Sequence, residues 1–237
     1  MNIWEINNIS NIHEEDFEDS KVYWMDDFYK YPDLVFEYIT RESPPLWKWG
    51  DDWDGIEHSK NTKHFEDRRW DGINAEGIHV PNNALSKIFN QTTKTTNEVV
   101  TNHTRFFTDS ESIKYNDYKN NWWWPHTDSG YNALVYLNKS EDGTSFGTNL
   151  YRLCDGFWER RGGGHEHANP WIRKDTGDCE RIAAFKSKYN RLVAFDGYRY
   201  QHGMSVDDDR WFYETRVNQV MFFDDPEDLK KDQESEQ

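Results

Sequence analysis

Two stretches near the front of the chain carry apolar residues at helical spacing. In the first, Pro32 precedes apolar residues that recur every three or four positions as far as Ile39, and proline is well tolerated in the first turn of a helix. In the second, an apolar stripe over 84–89 follows Asn82 and Asn83, which are favourable N-cap residues. The pattern predicts two helices that lie against a sheet, the second beginning after Asn83.

From about residue 98 the pattern changes to short β-type runs, most of them separated by turn residues. These runs cover 98–107, 132–138, 145–151, 182–186, 191–195 and 215–223. Helices followed by many antiparallel strands are typical of an α+β unit that is mainly β, built as a sandwich or barrel.

Three segments depart from this pattern. Residues 1–20 form an acidic lead-in and 226–237 a charged tail, and we expect both ends to fray. The stretch 154–181 is rich in Gly, His, Trp and charge and is too long for a hairpin turn, so we interpret it as a long loop or lid. No linker or repeat interrupts 21–225, which predicts a single domain.

The net charge of the chain argues against some classes of binding partner. The chain has 28 Lys and Arg against 44 Asp and Glu, a net charge of −16. So acidic a protein is repelled by phosphate backbones, which argues against unassisted binding to nucleic acid or to an anionic membrane. A basic or neutral partner suits it better.

No apolar run resembles a signal peptide or a membrane span, so we expect a soluble, cytoplasmic protein, in the host cytoplasm if the source is viral. The two cysteines, Cys154 and Cys179, are expected to be free thiols, because a disulfide framework normally accompanies secretion.

The segment His126-Thr127-Asp128 places an imidazole and a carboxylate two positions apart. In an extended backbone both point to the same side. Similar triplets occur at 13–15 and 64–66, so the triplet alone is weak evidence. Its context is more informative, because His202 follows the run 191–195 and a last strand begins near Arg216. Two His and one Asp on neighbouring strands would form a facial triad for non-haem Fe(II).

This ordered set resembles the 2-oxoglutarate and Fe(II)-dependent oxygenases, most closely their prolyl-hydroxylase-like branch. The matching residues, in chain order, are His126-Thr127-Asp128, Tyr136-Leu137-Asn138, Gly147-Thr148-Asn149, His202 and the strand from Arg216. The resemblance covers about residues 20–225 in outline, and its specific part is 122–223. It implies a double-stranded β-helix, or jelly roll, with supporting N-terminal helices.

The resemblance also implies the chemistry. His126, Asp128 and His202 would be the metal ligands and the catalytic centre. Arg216 and Tyr136 would bind the far carboxylate of 2-oxoglutarate, a task that suits an arginine fork. Asn218 stands where members often have a small hydroxyl residue.

The implied cofactor and cosubstrates are Fe(II), 2-oxoglutarate and O₂, with ascorbate as an optional reductant. The reaction would be hydroxylation of a protein, peptide or small-molecule side chain, coupled to decarboxylation of 2-oxoglutarate to succinate. Proline or another amino-acid side chain is the natural first guess for the substrate, and the oligomeric state is not predicted.

Several alternatives stay open. Arg210 competes with Arg216, because 14 positions separate His202 from Arg216 and the family more often has about ten. Residues 165–167 would make a second metal site or a polar loop, and Trp122 to Trp124 a core or a stacking platform. At the level of function, the alternatives are a non-catalytic jelly-roll module that binds carbohydrate or peptide through its aromatic residues, and a different metalloenzyme on a cupin-like barrel.

Overall fold

The structure is a computed structural model. It describes residues 1–18, 20–40, 48–49, 65–71, 77–90, 92–93, 99–106, 127–128, 130–139, 143–152, 180–205 and 214–224.

Within these ranges the fold is mostly β, with two α-helices and twelve strands. A short 3₁₀ turn at Ile9–Asn11 precedes the first strand. The helices are α1 (Pro32–Ile39) and α2 (His79–Phe89). The strands are β1 (His13–Phe17), β2 (Ser20–Met25), β3 (Lys48–Trp49), β4 (Phe65–Asp71), β5 (Thr92–Thr93), β6 (Val99–Phe106), β7 (Tyr131–Tyr136), β8 (Gly143–Tyr151), β9 (Arg181–Ser187), β10 (Arg191–Asp196), β11 (Gln201–Met204) and β12 (Arg216–Asp224).

The strands form two antiparallel sheets. The larger has the order β1-β2-β10-β7-β12-β6-β4-β3, with β5 added alongside β12. The smaller has the order β11-β8-β9. From β7 the chain passes to β8 and β9 of the smaller sheet, returns to β10, passes to β11 and returns to β12, so it moves repeatedly from one sheet to the other.

Alternate residues of the larger sheet form its two faces, as the period of two in a strand requires. One face, here called the outer face, packs against the helices. Its side chains include Ala133 and Val135 of β7, and they share one buried cluster with Val35 of α1 and Leu85 of α2.

The opposite, inner face lies against the smaller sheet. Leu134 and Tyr136 of β7 join Val193 of β10 and Val220 of β12 in a second buried cluster, which Leu150 of β8 completes from the smaller sheet. The core of the molecule therefore has two layers, separated by the backbone of the larger sheet.

The first helix agrees with the sequence pattern. Helix α1 begins at Pro32 and ends at Ile39, and Val35 and Ile39 are fully buried in the outer cluster. The prediction that the helices lie against the sheet is confirmed as well.

The predicted start of the second helix is wrong. Helix α2 begins at His79, its N-cap residue Ile78 makes no capping bond through its side chain, and Asn82 lies buried inside the helix. The turn before it contains Gly77 at φ +81, where an added Cβ would come within 2.5 Å of Asn2. Tertiary packing rather than capping therefore sets this helix start.

The N-terminal segment is more ordered than expected. Trp4 is only 1% exposed in the outer cluster, and β1 pairs with β2 from His13 to Phe17. The expectation that the first 20 residues fray is wrong for their described part. The division into lead-in, domain and tail stays a prediction.

Within the described residues, neither helix has the length and apolarity needed to cross a membrane.

Candidate functional site

One end of the inner face lies where β7 begins and β10 ends. The backbone N–H of Asp128 donates to the carbonyl of Gly197 at 2.9 Å, and the N–H of Gly197 donates to the carbonyl of Gly130 at 2.7 Å. Gly130 has φ +62, a conformation that glycine adopts without strain. The segment that carries Asp128 is thereby fastened to the turn after β10.

That turn is itself held by Asp196. Its carboxylate accepts from the backbone N–H groups of Tyr198 at 3.0 Å and Arg199 at 3.1 Å. Burial raises the pKa of Asp196, and the two N–H bonds oppose this shift. The turn leads directly into β11, so it connects the backbone beside Asp128 to the strand that carries His202.

The side chain of His202 points inward from β11. The residue is 5% exposed, lies opposite Leu150 of β8, and its ring packs 4.8 Å from the ring of Phe195. Its Nδ1 lies 3.3 Å from the carbonyl oxygen of Tyr200. When Nδ1 carries the proton it donates to this carbonyl, which leaves the lone pair on Nε2 available to a metal.

His202 and Asp128 meet at this end of the inner face. Nε2 of His202 is 3.2 Å from Oδ2 of Asp128. When the proton of His202 is on Nδ1, both atoms are acceptors, and a cation between them would relieve their repulsion. Two ligands at right angles about a first-row metal, each about 2.1 Å from it, lie about 3 Å apart. The observed pair therefore fits two adjacent positions of a metal centre.

His126, the third predicted ligand, lies outside the described residues. Among the described residues, no group of three His, Cys, Asp or Glu side chains has a metal-binding arrangement. The pair of Asp128 and His202 is thus the described part of the predicted triad.

A third polar side chain joins this pair. Asn132, the second residue of β7, is 1% exposed. Its Nδ2 lies 2.5 Å from Oδ2 of Asp128 and 3.0 Å from Nε2 of His202. The sequence interpretation did not include Asn132, although it is a polar residue at an inward position of a strand otherwise rich in apolar residues.

A buried arginine occupies the other end of the inner face. Arg216, the first residue of β12, is 3% exposed. Its Nε donates to the carbonyl of Phe146 at 2.9 Å, and its Nη1 donates to Oδ1 of Asn218 at 2.7 Å. Phe146 has φ +70, an unusual conformation for a non-glycine residue. The irregular start of β8 thus turns a backbone carbonyl toward the guanidinium.

The position of Arg216 is set from both sides. Nδ2 of Asn138 donates to the carbonyl of Thr215 at 2.7 Å, and its Oδ1 accepts from the N–H of Val217 at 2.8 Å. Asn138 therefore binds the backbone on both sides of Arg216. This contact gives the last residue of the Tyr136-Leu137-Asn138 segment a role in positioning the arginine.

Tyr136 lies beside this arginine. It pairs across the ladder with Asn218, is 1% exposed, and donates its hydroxyl hydrogen to Oγ1 of Thr148 at 2.8 Å. Burial raises the pKa of Tyr136, while the bond to Thr148 and the charge of Arg216 act in the opposite direction. At neutral pH it is a protonated phenol next to a fixed positive charge.

The predicted residues thus divide into two described groups. Asp128 and His202 lie together at one end of the inner face, and Arg216, Tyr136 and Asn218 lie together at the other. Thr148 also belongs to the second group. The sequence pattern includes it only as part of the motif Gly147-Thr148-Asn149. The remaining residues singled out in the sequence lie outside the described part of the chain: Arg210, residues 122–124, residues 165–167, Cys154 and Cys179.

No model of a known protein family matches the chain, and no curated protein matches it.

Proposed function

We propose that this chain is an Fe(II)- and 2-oxoglutarate-dependent dioxygenase built on a double-stranded β-helix. The observation that carries the proposal is the approach of His202 Nε2 to Asp128 Oδ2, at 3.2 Å, on the same inner face as a buried arginine and a buried tyrosine. The first group offers two ligands to a cation, and the second offers two donors to an anion.

The strand order supports the fold part of this proposal. Strands β10, β7, β12 and β6 are neighbours in the larger sheet, and β11, β8 and β9 form the smaller one. The chain passes between two facing antiparallel sheets from β7 to β12, which is the winding expected of a jelly roll.

In the proposed site, Asp128 and His202 would hold the metal together with His126, the ligand predicted from the sequence. Asp128 has a side chain 27% exposed and His202 one of 7%. The metal would therefore be accessible to a substrate on the side of Asp128. On the side of His202 it would be covered by protein.

Arg216 and Tyr136 would bind the far carboxylate of 2-oxoglutarate. Arg216 offers a rigid guanidinium fork, and its contacts to Phe146 and Asn218 orient it. Charge-assisted bonds of this kind are stronger than neutral ones. The phenol of Tyr136 would turn from Thr148 to the carboxylate.

The two groups lie along one face of the same strand. Asn132, beside the metal ligands, and Tyr136, beside the arginine, are four residues apart on one strand, or about 13 Å along the backbone. Leu134 lies between them on the same face, so 2-oxoglutarate would run along the strand past this side chain.

Bound Fe(II) and 2-oxoglutarate would supply the oxidative chemistry together with O₂: one oxygen atom would enter succinate as CO₂ is released, and the other would enter the C–H bond of the substrate as a hydroxyl group. The chain would bind and orient both, and the apolar cluster of Leu134, Val193 and Val220 would keep water away from the inner face. The substrate class stays a protein, peptide or small-molecule side chain.

The decisive experiment is succinate formation from 2-oxoglutarate by anaerobically iron-loaded protein, with and without O₂. The proposal expects slow O₂-dependent turnover that is abolished in His202→Ala and needs much more 2-oxoglutarate in Arg216→Ala. Arg152→Ala is the matched control, because Arg152 is an exposed arginine paired with Glu18 and Glu180, and its turnover should equal that of the wild type.

Thermal shifts separate the alternatives. A metal-dependent stabilisation by 2-oxoglutarate supports the dioxygenase. Binding of metal without any response to 2-oxoglutarate would favour a different metalloenzyme. A protein that responds to neither would contradict the proposal and favour a binding module.

A further inference from the structure

The carboxamide of Asn132 lies between two residues that would otherwise oppose each other. Its Nδ2 is 2.5 Å from Oδ2 of Asp128 and 3.0 Å from Nε2 of His202, and those two atoms are 3.2 Å apart. An amide nitrogen carries two hydrogens, so it is able to donate one to each acceptor.

This arrangement offsets the electrostatic repulsion between the two acceptor atoms. With the proton of His202 on Nδ1, facing the carbonyl of Tyr200, the lone pair of Nε2 points at a carboxylate oxygen. Two donated hydrogens from Asn132 stabilise this approach before any cation is present. The amide thus holds the two acceptors at a separation that suits a metal.

The position of the carboxamide is tightly determined. A Cβ placed on Gly197 would lie 3.0 Å from Cγ, 3.0 Å from Nδ2 and 3.1 Å from Oδ1 of Asn132. Glycine at this point therefore leaves room for the amide. The same Gly197 accepts the N–H of Asp128, so one turn positions both the amide and the carboxylate it contacts.

Of the two polar atoms of the Asn132 amide, only the nitrogen makes side-chain hydrogen bonds within the described part of the chain. Among the described residues, the buried Oδ1 of Asn132 has no hydrogen-bond partner, although buried polar atoms are normally satisfied. Asn82 of α2 shares this feature, so the direction of the donors, rather than the unsatisfied oxygen, distinguishes Asn132. It directs its donors at the two predicted ligands.

We propose that Asn132 is the positioning residue of the metal site, which aligns Asp128 and His202 for a divalent cation. When the cation binds, Nε2 turns its lone pair to the metal, and Nδ2 keeps its bond to the carboxylate and fixes the orientation of Asp128. The inference rests on the proposed function, because it assumes that the pair binds a metal.

The test is Co²⁺ binding to the purified full chain in the absence of 2-oxoglutarate, followed by the visible absorption of the ion. Asn132→Leu removes the donors and keeps a similar volume. We expect its Co²⁺ affinity to fall by about 10- to 100-fold, the range typical when a residue that orients a metal ligand is lost, and the absorption band to change shape.

Asn82→Leu is the matched control. Asn82 is also a buried asparagine, 3% exposed, whose Oδ1 has no partner among the described residues, but it lies on α2 at the outer face. Its replacement should leave the Co²⁺ affinity unchanged. Unfolding of the metal-free variants, measured in parallel, separates a loss of stability from a loss of alignment.

Gly197→Ala provides a second variant if Asn132→Leu does not fold. The new methyl group would displace the carboxamide and leave Asn132 in the chain, and the Co²⁺ affinity should again fall. Wild-type affinity and spectrum in a folded variant of either kind would overturn the inference and leave the proposed function standing. Absence of Co²⁺ binding in the wild type would overturn both.

Discussion

The two faces of the larger sheet use the same strands for different tasks. On the outer face, β7, β10 and β12 present apolar residues such as Val135, Leu192 and Met221 to the helices. On the inner face, the alternate positions of β7 and β12 include Asn132, Tyr136, Arg216 and Asn218, all 3% exposed or less. Burial of polar groups is costly unless they are hydrogen-bonded, and these four side chains all make hydrogen bonds. The outer face is therefore mainly an apolar packing surface, whereas the inner face carries the polar groups of the candidate site.

Loss of a large side chain from the outer face should have the largest effect on stability. Phe89 of α2 packs 4.9 Å from the ring of Tyr131 and 5.1 Å from that of Phe223. We expect Phe89→Ala to lower the free energy of unfolding by about 3–5 kcal/mol, measured by urea denaturation. The Co²⁺ affinity of the folded fraction should not change; a large loss of affinity would contradict the separation of the two faces.

Two buried tyrosines offer a matched comparison between the faces. On the outer side, the hydroxyl of Tyr29 donates to Oε1 of Gln219 at 2.7 Å, and both residues are buried. Tyr29→Phe should cost about 1–3 kcal/mol of unfolding free energy, because Gln219 Oε1 would lose its donor. The double variant with Gln219→Leu should recover part of this loss, and neither variant should alter the binding of 2-oxoglutarate.

On the inner face the same substitution should act differently. In Tyr136→Phe the hydroxyl of Thr148 is free to rotate to another partner, so we expect a loss of only about 0.5–1.5 kcal/mol. The affinity for 2-oxoglutarate, measured by calorimetry with metal present, should fall, because the phenol donor is lost. An unchanged affinity would remove Tyr136 from the proposed carboxylate site.

An ion pair at the rim of the larger sheet should contribute least to the free energy of unfolding. Asp26, after β2, accepts from Arg191 at 2.6 and 3.2 Å and from Lys188 at 2.8 Å. These bonds, chiefly that from Arg191, lower the pKa of Asp26 from 3.8 to about 2, against the effect of partial burial. Because the side chain is 37% exposed, solvent screening limits its contribution to about 1 kcal/mol or less.

The sign of the pH dependence follows from this shift. A carboxyl whose pKa is lowered on folding stabilises the protein above pH 3.8 and loses this contribution as the pH falls toward 2. Asp26→Asn should therefore be less stable than the wild type at neutral pH, and the difference should shrink between about pH 4 and pH 2. A constant difference over this range, in denaturation curves, would exclude the ion pair as its source.

Local patterns predicted much of the secondary structure. The apolar spacing before Ile39 identified α1, and the runs at 132–138 and 191–195 correspond to β7 and β10. Short or polar strands were missed, among them β1, with four exposed residues of five, and β11, with only four residues. Their pairing comes from neighbouring strands rather than from their own composition.

The residues of the candidate site were also only partly predictable from local sequence patterns. The resemblance to the oxygenases, carried by residue types and their order, selected Asp128, His202, Arg216 and Tyr136 from the sequence. Asn132 was missed because a polar residue at an inward position of an apolar strand does not by itself reveal which side chains it contacts. Its meaning depends on Gly197, 65 positions later in the chain, and on a strand that brings His202 beside it.

The sequence by itself determined a strongly negative charge and predicted a mainly β chain with two helices, together with a short set of residues that we propose for metal and carboxylate binding. Only the tertiary structure decided that Trp4 belongs to the core, that α2 begins at His79, and that Asn132 lies between Asp128 and His202. The physical reason is that periodicity is a local property of the chain, whereas the approach of two side chains depends on how distant strands pair and on which backbone turns leave room for them.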